Sequence, residues 1–445
     1  MTLEEKQSQL KARTAAAIPR LGIREYDWWS EGLHGVARSG EATSFPTGLG
    51  IASTWDRDLV NQMMDATSDE ARAYTNEKGK GLSYWSPTIN MARDPRWGRA
   101  EETYGEDPYL SAQIGNSFVE GLQGDDEKYL KSIATVKHFA LNNSEFNRHD
   151  GDSQTDERTL REYYTKAFKD VIEQADVESI MTAYNRVNGV PMSANAYMLD
   201  TLARRTWGFD GYVTSDCGAI RDVHASHHWV PDGWDHAVSP TEATALCIQA
   251  GTDLNCGGEY ASQAINAVNE GILSEDDMDV ALVRLFTSRM KTGEFDPAEN
   301  VPYASEEYSW ANQISAEDHT KVAAQAADEA VVMLKNEPAE GEKNTILPLD
   351  EKKMDHVVIV GDLADEMILG DYSGTPNEKN RSTPVQGLEN ILGKDKVTYI
   401  QGGNSTNING NYNFNIKNFK LINEGGEVIK EVLPAESTDL SDCKV

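Results

Sequence analysis

The sequence predicts an α/β fold in which a large barrel domain is followed by a second, incomplete α/β unit. Short apolar strands alternate with amphipathic helices from the N-terminus to about residue 290, which is typical of a parallel sheet covered by helices. The 445 residues are too many for one ordinary domain. Several strands end in polar or titratable residues, as expected where the strand ends of an α/β barrel converge on a site.

The predicted elements follow one another in regular order. The predicted strands are 84–91, 133–140, 179–184, 212–215 and 252–254, and then 356–360 and 397–400 in the second unit. The predicted helices are 59–77, 109–122, 157–175, 199–206, 241–250, 259–270, 275–291 and 317–335. We therefore assign 1–290 to the barrel, 291–314 to a linker, 315–402 to the start of the second unit and 403–445 to a tail.

The tail differs in texture from the rest of the chain. Residues 404–413 are rich in Asn, and residues 411–433 alternate polar and apolar side chains around Gly425 and Gly426, which favour a hairpin turn. A second unit with one or two strands cannot bury a sheet on its own. The chain is therefore expected to be a truncated product, or the tail begins an inserted β-rich module.

Composition excludes several classes of partner. The formal net charge is −32, which repels nucleic acid and anionic membranes but leaves a neutral ligand such as a sugar unaffected. No run of 18 apolar residues predicts a membrane span. Cys217, Cys247, Cys256 and Cys443 lack metal-site spacing, so neither a disulfide framework nor a structural zinc site is expected. No cofactor or metal is expected, and the oligomeric state is open.

Asp216 is the strongest candidate for a catalytic residue. It follows the predicted strand Tyr212–Ser215 and precedes Gly218, so its carboxylate can be presented at a strand end. Asp at this position can also simply cap the following helix. Arg99, Lys137, His138 and Tyr184 occupy comparable positions at or just beyond other strands, which favours a site over a cap.

A second candidate region is Tyr26–Gly40, which is Gly-rich and has no helical or strand period. It contains Trp28 and Trp29, followed by Glu31 and His34. Aromatic rings beside a carboxylate suit a sugar, whose apolar face stacks on rings while its hydroxyls bind the acid. The two tryptophans could equally belong to the core.

These residues suit a retaining glycosidase with Asp216 as the nucleophile. Such an enzyme needs a second carboxyl group as general acid/base about 5 Å away, together with donors for the sugar hydroxyls. Arg99, Lys137 and His138 can supply the donors. Positive neighbours lower the pKa of a carboxylate, which suits a nucleophile and not an acid, so the acid must come from elsewhere.

Three other functions remain open from the residues alone. Lys137 at a barrel strand end could form a Schiff base, as in aldolases, if its amine were neutral. His224, His227, His228 and His236 could serve metal-dependent hydrolysis, although no HExxH spacing accompanies them and exposed loop histidines are the simpler interpretation. A non-catalytic carbohydrate-binding protein would keep the sugar contacts without the acid.

Four segments, WSPTINMARDPRWGRAEETYGEDPYL, VKHFALNN, MTAYNRVNGVP and VTSDCGAI, together resemble glycoside hydrolase family 3, in the order of that family. The resemblance runs from the first residues to about Ile400. It implies a TIM-type (β/α) barrel followed by an α/β sandwich domain, incomplete here, and a retaining, exo-acting β-glycosidase. The implied nucleophile is Asp216, and the implied sugar ligands are Arg99, Lys137, His138 and Tyr184.

The resemblance is greatest to the β-xylosidase branch. Glu31, in WWSEGLHG, stands where glucosidases of the family carry aspartate, and SDCGAI replaces an SDW-type segment. A longer Glu would crowd the hydroxymethyl group of a hexose, so we expect release of xylose from the non-reducing end of xylo-oligosaccharides, and perhaps-related action on α-L-arabinofuranosides, with β-glucosidase as the alternative. The family's acid/base glutamate lies later in the second domain, and no residue here matches it.

The start of the chain leaves the compartment open. The segment MTLEEKQSQLKART has no apolar core, so no secretory peptide is expected within this chain. MTLEEK resembles an internal motif of the family, however. A cytoplasmic protein, or a secreted or periplasmic one with a truncated start, are both compatible with the sequence.

Overall fold

The computed structural model describes residues 1–338, 340–341, 343–402, 419–422 and 428–432. It divides into two compact units. One comprises Met1–Val332 with Leu369–Asn377, and the other comprises Met333–Ile368 with Glu378–Val445. The strands are β1 (Ser83–Tyr84), β2 (Ile133–Phe139), β3 (Asp152–Ser153), β4 (Ser179–Thr182), β5 (Arg186–Val187), β6 (Val190–Pro191), β7 (Tyr212–Ser215), β8 (Val357–Val360), β9 (Val397–Ile400), β10 (Phe419–Ile422) and β11 (Val428–Val432).

The first unit is built on a parallel sheet that curls into a ring. Strands β1, β2, β4 and β7 pair in that order, all parallel. Single parallel bridges continue the ring from β7 to Leu254, from Asn255 to Lys11 and, at its other edge, from β1 to Ser30. The backbone N–H of Trp28 donates to the carbonyl of Ala12 at 2.8 Å and joins the two ends. The predicted barrel is therefore confirmed.

Helices cover the outside of this ring, which explains why its strands are apolar throughout. Every residue of β2, β4 and β7 is buried, as expected of parallel strands covered on both faces. The helices are α1 (Leu3–Gln9), α2 (Gly48–Ser53), α3 (Arg57–Lys78), α4 (Pro108–Gln123), α5 (Glu157–Thr159), α6 (Lys166–Ala175), α7 (Ala219–Ala225), α8 (Pro240–Ala250), α9 (Glu259–Asn269), α10 (Glu275–Lys291), α11 (Trp310–Gln313), α12 (Glu317–Glu329) and α13 (Pro384–Leu392).

Local sequence signals set the ends of the long helices. Asp56 caps α3 by accepting from the N–H groups of Asp58 and Leu59, and Gly79 ends it in a left-handed conformation. Ser274 begins α10 with a capping box. The predicted helix at 157–175 is interrupted by a π-helical turn at Leu160–Tyr164, and Tyr197–Thr206 is π-helical throughout.

Helix α12 is shorter than predicted, because it ends at Glu329 and not at residue 335. Val331 and Val332 follow directly, and β-branched side chains lower helix propensity. These two residues are exposed, so no packing against the barrel offsets their preference.

The second unit contains a parallel pair and an antiparallel pair of strands. Strands β8 and β9 pair in register from Val357 with Val397 to Val360 with Ile400, and α13 lies between them in the chain. Strands β10 and β11 are antiparallel. The turn predicted at Gly425 and Gly426 and the Asn-rich segment lie outside the described residues, and the predicted domain boundaries stay predictions.

No helix within the described ranges is both long enough and apolar enough to cross a membrane.

A buried histidine joins α12 to α3 within the first unit. The His319 ring nitrogens lie 3.7 Å from Oδ2 of Asp69 and 3.6 Å from Oε1 of Glu70. Burial works against the imidazolium, but the two carboxylates outweigh it and raise the pKa of His319 to about 9. Because the folded-state pKa is raised, this stabilisation is complete below the unfolded pKa of about 6.5 and disappears as the pH rises through 9.

We therefore predict that wild-type protein loses about 1–2 kcal/mol more stability between pH 6.5 and pH 9.5 than the His319→Gln variant. Urea unfolding followed by tryptophan fluorescence measures this, because all nine tryptophans lie in the first unit. A His356→Gln variant, altered in the second unit, should follow the wild-type pH dependence. Equal pH dependence of wild type and His319→Gln would contradict the assignment.

Candidate active site

The C-terminal ends of three barrel strands meet at a cavity of about 160 Å³. Lys137 and His138 are adjacent on β2, yet both line it. The register between β2 and β4 shifts between Val136 and Phe139, and such an irregularity re-aims side chains that would otherwise alternate. The lining residues are Trp29, Glu31, Arg38, Trp85, Arg99, Lys137, His138, Arg148, Met181, Tyr184, Asp216, Cys217 and Tyr372.

Asp216 stands directly after β7 and is 9% exposed. Its Oδ1 accepts a hydrogen bond from the backbone N–H of Cys217 at 2.7 Å. Its Oδ2 has no hydrogen-bond partner in the described part of the chain, and the nearest charged or polar side-chain atom given for it is Nε2 of His138 at 3.4 Å. One carboxylate oxygen is thus fixed, and the other is left available.

A buried ion pair forms one wall of the cavity. Nζ of Lys137 lies 2.9 Å from Oε2 of Glu31, and the two side chains are 2% and 4% exposed. The Trp29 indole donates to Oε1 of the same carboxylate at 3.0 Å. Burial raises the pKa of Glu31, while Lys137 and Trp29 act in the opposite direction. Both oxygens of Glu31 are therefore occupied.

A second ion pair holds Arg99. Its Nε and Nη2 each donate to one oxygen of Glu102 at 2.7 Å, which is the bidentate geometry of strong Arg–carboxylate pairs. Burial opposes the charge of Glu102, but Arg99 outweighs it and lowers the pKa of Glu102. Thr88 donates to the same carboxylate at 3.2 Å. The remaining N–H groups of Arg99 are free to bind a ligand, and the carboxylate fixes their direction.

His138 and Tyr184 flank Asp216 as neutral groups. Burial, reinforced by Arg99, Lys137 and Arg148, holds the pKa of His138 well below its usual value. Burial and the Asp216 carboxylate raise the pKa of Tyr184. The Tyr184 hydroxyl donates to the carbonyl of Cys217 at 3.1 Å, which ties the end of β4 to the loop after β7.

Comparison with known proteins identifies the family. The model for the glycosyl hydrolase family 3 N terminal domain matches residues 2–288, and the model for the C-terminal domain matches residues 331–439. The chain belongs to glycosyl hydrolase family 3. The family predicted from the sequence is thus confirmed.

The relatives carry xylosidase and glucosidase names. A xylan 1,4-beta-xylosidase of Xylanibacter ruminicola is 37% identical over 92% of this chain and 47% of its own length. A probable exo-1,4-beta-xylosidase, bxlB, of Aspergillus flavus is 40% identical over 84% of this chain and 49% of its own length. The chain therefore spans about half the length of these curated relatives.

Solved structures give the same result. A GH3 exo-beta-xylosidase (XlnD) in complex with a xylobiose aziridine activity-based probe matches with a TM-score of 0.83 at 33% identity, over 92% of this chain and 52% of that one. The β-glucosidase EmGH1 of Erythrobacter marinus matches with a TM-score of 0.76 at 27% identity, over 91% and 57%. The predicted α/β class, with a barrel followed by an α/β sandwich, is confirmed.

The fold brings all six sequence-predicted site residues to the cavity of this family 3 chain. These are Glu31, Arg99, Lys137, His138, Tyr184 and Asp216. The two tryptophans that the sequence could not separate have different environments. Trp28 is 1% exposed and packs edge-on against Tyr26 and Tyr212 in the core, whereas Trp29 lines the cavity and stacks on Trp85.

Sequence reasoning missed the residues that reach the cavity from elsewhere in the chain. Tyr372 belongs to Leu369–Asn377, which returns to the first unit. Its ring lies 4.7 Å from Nζ of Lys137 and 5.2 Å from the guanidinium of Arg38. His34 holds this segment, because its Nε2 lies 2.8 Å from the carbonyl of Asp371. The segment GDYSGTP is Gly-rich and non-periodic, like the segment that contains Glu31, and that signal could have found it.

A disulfide joins Cys217 to Cys256, beside Asp216. The expectation that cysteines have no disulfide role is therefore wrong for this pair. The Gly218 N–H donates to the carbonyl of Cys256 at 2.7 Å, so the loops after β7 and after Leu254 are also joined through their backbones. Neighbouring barrel strands bring together cysteines that lie 39 residues apart, which their spacing does not reveal.

The histidine cluster is not the set of exposed loop residues that was expected. His227 is 7% exposed, and its Nε2 donates to the carbonyl of Tyr184 at 2.8 Å. Burial lowers its pKa. His236 is exposed, as predicted. Among the described residues, no group of three or more His, Cys, Asp and Glu side chains has the geometry to hold a metal ion.

We predict that Cys217 and Cys256 resist alkylation in the native protein. Iodoacetamide labelling and peptide mass spectrometry should find both unmodified, linked to each other, and labelled only after reduction. Cys247 is an internal comparison, because burial raises the pKa of its thiol and it should label slowly until the protein unfolds. Rapid labelling of Cys217 without reductant would show that the bond is absent.

Proposed function

We propose that this protein is a retaining, exo-acting β-glycosidase that releases xylose from the non-reducing end of xylo-oligosaccharides, with Asp216 as the nucleophile. The observation that carries this proposal is the free Oδ2 of Asp216 in a small cavity lined by hydrogen-bond donors. A nucleophilic carboxylate needs an unoccupied oxygen aimed at the substrate, together with nearby donors that position the sugar. The names of the relatives favour xylose as the sugar.

The other residues receive roles from their geometry. Lys137 and Arg99 are held by Glu31 and Glu102, so they supply oriented N–H donors for sugar hydroxyls. Trp29, stacked on Trp85, gives the apolar surface on which a sugar face can lie. Neutral His138 and Tyr184 border the nucleophile.

Covalent glycosylation proceeds when Oδ2 of Asp216 attacks the anomeric carbon and the leaving group departs. The leaving-group oxygen must receive a proton from a second carboxyl group. Among the residues that line the described cavity, the other carboxylate is Glu31, and both of its oxygens are occupied by Lys137 and Trp29. We therefore assign no general acid here.

The ion pair between Lys137 and Glu31 argues against the Schiff-base alternative. A Schiff base requires a neutral amine, whereas a buried carboxylate at 2.9 Å favours the ammonium ion. β-Glucosidase activity remains the second candidate, because structures of β-glucosidases also match the chain. Non-catalytic carbohydrate binding is the third, and the trapping experiment below separates all of them.

We expect 2-deoxy-2-fluoro-xylosyl fluoride to form a covalent adduct on Asp216, detected by peptide mass spectrometry. Fluoride leaves without a general acid, so the test depends on the nucleophile and the pocket alone. Asp216→Asn, which keeps the shape of the side chain, should form no adduct. Labelling with the glucosyl reagent instead would indicate a β-glucosidase, and no adduct with either reagent would refute the proposed catalytic function.

Glu31 is expected to set the preference for xylose. Its carboxylate is fixed at both oxygens and cannot move aside for the hydroxymethyl group of a hexose. Glu31→Asp removes one methylene, so the ratio of kcat/KM for 2,4-dinitrophenyl xyloside over glucoside should fall by about tenfold. Glu25→Asp, altered at an exposed position of the same segment, should keep the wild-type ratio. An unchanged ratio in Glu31→Asp would show that other residues exclude hexoses.

A further inference from the structure

A second polar cavity lies on the same face of the barrel as the candidate active site. Its volume is about 190 Å³, and it shares Arg148 with the first cavity. It lies beyond the same strand ends, because Asn142 follows His138 by four residues and Asn185 follows Tyr184 directly. The lining residues used below are Arg93, Asn142, Arg148, Asp152 and Asn185.

Two buried amides line this cavity with unsatisfied atoms. Asn142 is 2% exposed, and its Nδ2 has no hydrogen-bond partner in the described part of the chain. Asn185 is 4% exposed; its Nδ2 donates to the carbonyl of Ala140 at 3.2 Å, whereas its Oδ1 accepts no hydrogen bond from the described residues. Buried polar atoms are normally satisfied, so an unpaired donor and an unpaired acceptor indicate a ligand or ordered water.

Arg93 adds a charged donor that is not neutralised. Its guanidinium lies 5.3 Å from the centre of the Tyr164 ring, and it makes no ion pair with a carboxylate of the described residues. This is unusual in a chain with a net charge of −32. Arg148, by contrast, is paired with Glu145 at 2.8 Å, and its guanidinium lies over the ring of Tyr184 at 4.8 Å. Arg148 thus forms the boundary between the two cavities.

The mixture of donors and acceptors fits a neutral polyhydroxyl group. A hydroxyl group both donates and accepts, so adjacent sugar hydroxyls can satisfy Asn142, Asn185 and Arg93 together. An anion would face the free oxygen of Asn185 and the carboxylate of Asp152, which already accepts from the Gly189 N–H at 2.9 Å. The cavity is also several times larger than the roughly 30 Å³ that one water molecule occupies in the liquid.

We propose that this second cavity binds the sugar residue on the leaving-group side of the scissile bond. The proposal rests on the function proposed above: a substrate whose terminal xylose lies beside Asp216 continues past Arg148, so its next xylosyl unit lies against Asn142, Asn185 and Arg93. The cavity then distinguishes xylobiose from xylose, because the second sugar ring gains hydrogen bonds that free xylose does not make there.

Protection against covalent trapping tests the proposal without requiring a general acid. Full-length protein is treated with 2-deoxy-2-fluoro-xylosyl fluoride in the presence of xylose or xylobiose, and the concentration of each that halves the trapping rate is measured. In wild type, xylobiose should protect at about one tenth of the xylose concentration, as a few additional hydrogen bonds would give. This ratio should fall to about one or two in Arg93→Met and in Asn142→Leu.

Controls separate binding at the cavity from loss of structure. Arg93 is exposed, so Arg93→Met tests the cavity even if Asn142→Leu fails to fold. Arg96→Met is the matched control, because Arg96 lies on the same loop, pairs with Asp94 and does not line the cavity; it should keep the wild-type ratio. Trapping in wild type with a ratio near one, or a tenfold ratio that survives in Arg93→Met, would overturn this proposal alone and leave the cavity to ordered water. Absence of trapping in wild type would overturn the proposed function and this subsite together.

Discussion

The candidate site depends on the buried ion pair between Lys137 and Glu31. The pair joins barrel strand β2 to the N-terminal segment, and both side chains are almost completely removed from solvent. Loss of either partner would leave an uncompensated buried charge, which costs about 3–5 kcal/mol. Trp29 donates to the same carboxylate, and the ring of Tyr372 lies over the same ammonium group, so two further walls of the cavity are positioned by this pair.

The pairing also explains why Asp216 is left with a free oxygen. Lys137 and Arg99 are the strong cations nearest to the cavity, and each is already paired with its own carboxylate. Neither is therefore available to close an ion pair with Asp216, and its neighbour His138 is held neutral by burial and by those same cations. The N–H groups of Lys137 and Arg99 that point away from their carboxylates remain as donors. The site thus combines a positive, oriented lining with an unoccupied nucleophilic oxygen.

The sequence predicts the part of this site that barrel topology determines. Lys137, His138, Tyr184 and Asp216 could be found because a local strand pattern ends at each of them, and parallel strands of a barrel bring such ends together. Tyr372, Arg38 and the Cys217–Cys256 disulfide could not be found in this way. Their positions follow from long-range packing of irregular segments, which leaves no period in the sequence.

The environment of a residue was also harder to predict than its place in the fold. Trp28 and Trp29 are adjacent and chemically identical, yet one packs in the core and the other lines the cavity, because neighbouring residues of an extended segment face opposite sides. The same physical rule gives the two cavities their relation. Residues at the very ends of the strands, such as His138 and Tyr184, surround the nucleophile, whereas those that follow, Asn142 and Asn185, belong to loops. Loops can vary without disturbing the strands, so a chain of this fold can change what it binds beyond Arg148 while the pocket around Asp216 stays the same.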